Sequence, residues 1–185
     1  MKPQKHLALT GILALGLCSA SAFAQQNLQA HQHGVAELQV AISGEQIDAL
    51  LLSPAYNLVG FEHPPHSSEQ QQTVESAVDW LKNTALVNTG DLQCSPEQSH
   101  VHTSWKDQHD DHHEHHDDDH TGSGHSDIEI TQRLHCTGLS EASELKTELF
   151  ERFPGLEQLN AQWVSSKGQS GARLTPDQHR IQLSR

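Results

Sequence analysis

The sequence predicts an α+β fold: an antiparallel sheet with two amphipathic helices and a disordered His/Asp-rich insertion. Three observations predict it. Ala36, Leu38, Val40 and Ile42 alternate with Glu37, Gln39 and Ala41, the pattern of a half-buried strand, and further short strand-like stretches follow. Two other stretches space their apolar residues three and four apart, the period of a helix. Residues 106–126 contain no aliphatic side chain and cannot contribute to a core.

Met1–Ala24 reads as a secretory signal. Lys2 and Lys5 supply a positive start, Leu7–Leu17 an apolar run, and Ala22-Phe23-Ala24 a small-residue cleavage site. The run is too short to span a bilayer, and no stop-transfer stretch follows. Leu17 stands before Cys18 where a lipoprotein signal wants a small residue, which argues against lipidation. Cleavage would leave 161 residues, 25–185, enough for one domain with a core. That chain has nine basic against 24 acidic residues, a net charge of −15. Such a balance repels nucleic acid and anionic membrane and suits cationic partners.

After the first strand, Ser43-Gly44-Glu45 supplies a turn and Gln46–Leu52 a second strand, so the two form a hairpin. Pro54, Pro64 and Pro65 bound a loop, "SPAYNLVGFEHPPHS". Val74, Ala77, Val78 and Leu81 then fall on one face of a helix that starts after Ser67 and Ser68. Ala85–Cys94 and His100–Trp105 read as strands. Past the insertion, Ile128, Ile130 and Leu134 lead into Cys136. Ser140 opens a second helix, Glu141–Phe153, with Leu145 and Leu149 four apart and Pro154-Gly155 stopping it. The tail reads as two or three short strands around Gly168 and Gly171.

Two cysteines survive processing, Cys94 and Cys136, on either side of the insertion. In an exported chain an isolated pair reads as a disulfide. It would close a loop of about 40 residues and contribute roughly 3–4 kcal/mol. The expectation is that it staples the base of the insertion.

The chemistry concentrates in "DQHDDHHEHHDDDH", residues 107–120. Of its fourteen residues six are histidine, six aspartate and one glutamate. An internal segment of mixed His and Asp flanked by cysteines is not a purification tag. Imidazole is a favoured ligand of zinc, with copper(II) and nickel close competitors, and carboxylates attract the cation. The candidate ligands are His109, His112, His113, His115, His116 and His120. No four of them sit at the spacing of a closed structural zinc site, so several exchangeable ions are expected. The mature chain has no Met, which sets copper(I) aside, and no calcium loop motif occurs.

A second group lies in the ordered part. His31 and His33 of "HQHG" point the same way on an extended chain before the first strand. Glu62, His63 and His66 lie on a loop stiffened by Pro64 and Pro65. Whether that loop folds back onto the first strand is open at the level of sequence, and surface polar residues are the alternative. Enzyme motifs fail: "HEHHD", His113–Asp117, has Asp where a zinc protease motif needs its second His, and no nucleophile-elbow, phosphate-loop or dinucleotide pattern occurs.

"HQHGVAELQVAISGEQIDALLLSPAYNLVGFEHPP", the cysteine pair around a His/Asp-rich insertion, and "LFERFPGLEQLNAQWVSSKGQSGARLTP" together resemble the ZrgA-type zinc-regulated proteins of Gram-negative bacteria. The resemblance covers nearly all of the mature chain. It implies a periplasmic protein that assists zinc uptake through an inner-membrane transporter. The expectation from residues and resemblance is a non-enzymatic, histidine-rich periplasmic protein that captures Zn²⁺. Nickel or copper(II) would bind the same donors in vitro. The rivals are a metal buffer or nickel/copper sequestration protein with no transporter partner, and an enzyme built on the ordered histidines.

Overall fold

The structure, a computed structural model, describes residues 32–91, 93–105 and 126–183. Its elements run β1 Val35–Ser43, β2 Gln46–Pro54, α1 Ala55–Val59, α2 Ser68–Asn83, β3 Asn88–Thr89, β4 Cys94–Thr103, β5 Asp127–Cys136, β6 Glu144–Lys146, α3 Leu149–Arg152, β7 Gln158–Ser165, β8 Gly168–Leu174 and β9 Arg180–Gln182. The described residues are therefore mostly β. Six strands form one sheet in the order β4-β5-β2-β1-β7-β8, and β3-β6-β9 form a second of three. The α+β expectation with two amphipathic helices is corrected to this architecture.

The predicted hairpin forms. Ser43 pairs with Gln46 and the register continues to Glu37↔Leu52, so Leu38, Val40, Ile47 and Leu51 face inward together. Full burial of each such side chain contributes about 1.5–3 kcal/mol. The expected all-antiparallel sheet is not what forms, because β7 pairs parallel with β1, from Val35↔Gln158 to Ala41↔Val164. β1 has an open edge once β2 has taken the other, and β7 brings Leu159, Ala161 and Trp163 to the same buried face.

The first predicted helix is α2. Ser67 caps it, its Oγ accepting from the Gln70 N–H at 3.2 Å. Val74, Ala77 and Leu81 are its buried residues, and the helix lies against β4. Its C-terminal end is held by Gln132 of β5, which is 3 % exposed. The Gln132 amide donates to Leu81 O at 2.7 Å and Thr84 O at 2.8 Å and accepts from the Leu86 N–H at 2.9 Å.

The second predicted helix, Glu141–Phe153, does not form. A 3-10 turn at Leu139–Glu141, the strand β6 and the single turn α3 occupy that stretch. Leu145 and Leu149 are both fully buried. Two leucines four apart satisfy a strand followed by a helical turn as well as they satisfy one helix, and β6 is captured between β3 and β9. There Glu144 accepts from Gln182 at 3.0 Å and pairs with Arg180. These bonds, that to Gln182 first, lower its pKa against the opposing effect of desolvation. Two smaller corrections belong to the middle of the chain. The strand expected at Ala85–Cys94 is confined to Asn88–Thr89, and the candidate at His100–Trp105 is part of the longer β4.

Cys94 and Cys136 form the disulfide. They are direct partners across β4 and β5, whose register runs from Cys94↔Cys136 to Thr103↔Ile128. The bridge therefore clamps the end of this strand pair opposite to the insertion, not the insertion's base as expected. Free-thiol titration of the unreduced, denatured mature protein should find none; two reactive thiols per chain would contradict the bridge.

Candidate metal centre

The strand register decides what meets at one end of the large sheet. β1 begins, β2 ends, β4 ends and β5 begins there, as the row Glu37↔Leu52↔Glu129↔His102 shows. Residues 106–125 connect the adjacent strands β4 and β5, so both roots of the His/Asp-rich segment lie at this end. The preceding root is fixed by Trp105, 4 % exposed, which stacks on Phe61 with ring centroids 6.4 Å apart. The following root is held by Ser126 O, which accepts from the Ala55 N–H of α1 at 2.7 Å, and by the Ser104 hydroxyl, which accepts from the Asp127 N–H at 3.0 Å.

The same end holds the ordered histidines. The stretch "SPAYNLVGFEHPPHS", expected as a loop, contains the short helix α1. Asn57 of α1 is 2 % exposed and works as a hub. Its Oδ1 accepts from Gly34 N at 2.7 Å, while its Nδ2 donates to Val35 O at 2.9 Å and to Ser53 Oγ at 3.2 Å. Gly34 adopts φ +83°, and a Cβ there would stand 3.1 Å from Glu157 Oε2. At Gly155 a Cβ would stand 2.9 Å from Asn57 O, so the chain entering β7 closes on the same hub.

His33 is carried by this arrangement onto α1. Its ring stacks on Tyr56 with centroids 4.2 Å apart and planes at 12°. Its Nε2 lies 3.0 Å from Glu62 Oε1, with the side chains 50 % and 11 % exposed. The loop therefore does fold back onto the start of β1. A carboxylate only accepts, so Nε2 is the donor, and in the neutral ring Nδ1 then carries the lone pair a metal needs. Imidazoles that ligate a metal commonly donate their second ring N–H to a carboxylate in this way.

His63 sits in a different group. Its Nδ1 donates to Pro64 O at 2.8 Å, which in the neutral ring leaves the lone pair on Nε2. Its ring stacks between Phe61, at 5.1 Å, and His66, at 4.9 Å. The His66 N–H donates to Gln70 Oε1 at 2.8 Å and ties this loop to the start of α2. The structure thus joins His33 to Glu62 and places His63 with His66. Among the described residues no three of His, Cys, Asp or Glu are gathered as a ready metal-holding group. His31 and the insertion histidines His109, His112, His113, His115, His116 and His120 lie outside the described residues, as does the expected signal at 1–24.

Sequence reasoning passed over Tyr56, Phe61, Trp105 and Asn57. Only Asn57 carried a readable signal, an amide next to Leu58 and Val59 in a stretch otherwise destined for the core. Asn57→Ala would leave the Gly34 N–H and Val35 carbonyl without partners and should cost about 2–4 kcal/mol by denaturant unfolding. A change under about 0.5 kcal/mol would remove Asn57 from its role as the hub.

A β-sheet end that gathers imidazoles and carboxylates around the roots of a His/Asp-rich segment has the donor set of a protein that handles a borderline divalent cation. The family model described as "ZrgA family zinc uptake protein" matches residues 30–183. The chain belongs to that family, a family of zinc uptake. No curated protein matches it.

Proposed function

We propose that this protein captures Zn²⁺ in the periplasm and assists its import through an inner-membrane transporter, without catalysing a reaction. Family membership supports the metal and the direction of traffic. The observation that carries the reading further is that the His33–Glu62 pair and the separate His63–His66 pair both lie at the sheet end that holds the two roots of the His/Asp-rich insertion. Zinc is cargo in this scheme. The acidic residues of the insertion draw the dication in, an attraction that fades as salt rises. The imidazoles bind it, and a set of interchangeable donors lets it leave again. No helix among the described residues is long and apolar enough to cross a membrane.

The test is growth of a strain lacking the protein under chelator-imposed zinc limitation. Growth should fall and recover on added zinc, and not on added nickel or copper. Unimpaired growth under zinc limitation would favour a buffer with no transporter partner and overturn the import reading. Calorimetric titration of the mature protein with zinc in competition with nickel and copper gives the selectivity directly.

A further inference from the structure

The outer face of the large sheet carries another set of donors. His100 and His102 are two apart on β4 and both exposed, so their imidazoles stand on the face turned away from the core. The register sets His102 opposite Glu129 of β5 and His100 opposite Thr131. Glu129 is exposed as well, and its partner on the other side is Leu52 of β2, 38 % exposed. An apolar neighbour at the surface thins the water around the carboxylate and strengthens its pull on a cation.

We propose that His100, His102 and Glu129 form a second binding site for Zn²⁺, with three protein ligands and one open position. The strand geometry allows it. Side chains two apart on one strand rise from points roughly 6.5–7 Å apart. Directly opposite residues on neighbouring strands have Cβ atoms about 4.5–5.5 Å apart, and diagonal ones roughly 7–8 Å. Zinc holds nitrogen at about 2.0–2.1 Å and oxygen at about 2.0–2.2 Å. Two imidazoles and a carboxylate leaning inward from those three points close on one ion. In the described conformation they are not gathered, so closure on one ion needs the side chains of His100, His102 and Glu129 to turn toward one another.

A rival account exists for the histidines alone. β4 is an edge strand, and polar side chains on an edge discourage pairing with another chain. That role needs no carboxylate facing His102, and it makes no use of two imidazoles on one face. The metal site uses both. Three protein ligands leave a fourth position to water or an incoming imidazole, so the ion can leave by replacement of one ligand at a time. The chain enters the His/Asp-rich insertion within a few residues of His102. The site stands on the sheet's outer face, separate from His33 and Glu62, and does not depend on the import reading.

Diethyl pyrocarbonate footprinting of the full mature chain, read for each histidine by peptide mass spectrometry, tests it. Added zinc should slow modification of His100 and His102 at least fivefold. Glu129→Gln should reduce that protection below twofold at both and leave the rate at His33 as in the parent. His102→Ala should remove the protection at His100. Equal rates at His100 with and without zinc would overturn the site. Full protection persisting in Glu129→Gln would overturn it too, because shielding by another part of the chain would then be the cause. The growth phenotype is read separately, so the import reading and this site can fail independently.

Discussion

Deleting Asp107–His120 should lower the zinc stoichiometry of the mature protein by more than one ion and leave a cooperatively folded domain. The segment removed holds six of the chain's sixteen histidines and no aliphatic residue. What it leaves behind is anchored at both ends. Trp105 is buried against Phe61, Ser126 is bonded to Ala55, and the register from Thr103↔Ile128 to Cys94↔Cys136 is closed by the disulfide. Lys106 and residues 121–125 still bridge the strands, a length typical of connections between neighbouring strands. A shorter connection costs less closure entropy; each halving of its length favours the folded state by about 0.6 kcal/mol. Isothermal titration counts the ions and denaturant unfolding reports the fold. Loss of a cooperative transition would show that the segment is structural, and an unchanged ion count would show that it is not where zinc binds.

In that loop-deleted protein, His33→Ala and His63→Ala should each weaken the zinc binding that remains at this end of the sheet at least tenfold, about 1.4 kcal/mol. The two imidazoles are held before any metal arrives. His33 is clamped between Tyr56 and Glu62, and His63 is stacked between Phe61 and His66 with its Nδ1 already bonded. Donors ordered in advance lose little rotamer freedom on binding, so removing one forfeits most of its bond. Glu62→Gln should also weaken binding roughly tenfold, because the amide can no longer hold the His33 tautomer as a carboxylate does. Competition titration against a chromogenic chelator measures all three. Parent affinity in both histidine variants, or no measurable site in the loop-deleted parent, would make the ordered histidines surface residues only.

Elements built from neighbours along the chain were legible. The β1–β2 hairpin needed only alternation and a two-residue turn. α2 needed a serine cap and four apolar residues at helical spacing. The disulfide needed only an isolated pair of cysteines behind a stretch that reads as an export signal. The stretch 141–153 was misread because Leu145 and Leu149 fit either period, and the choice between them is made by β3 and β9, which lie far away on either side in the sequence. The parallel pairing of β1 with β7 was equally out of reach, since nothing local in "NAQWVS" states which edge it joins.

The sequence by itself determined the chemistry of this protein: imidazoles and carboxylates in excess, no free soft ligand expected, no catalytic motif, and a His/Asp-rich segment unable to enter a core. Side-chain chemistry is a property of each residue and needs no fold to be read. Only the tertiary structure decided which donors meet. Asn57 binds Gly34 and so brings His33 to Glu62 across 29 residues of chain, while His63 turns aside to Phe61 and His66. The β4–β5 register sets the insertion's roots beside them and moves the disulfide to the far end. Meeting is a matter of register and burial, which depend on every strand at once, and no local pattern encodes it.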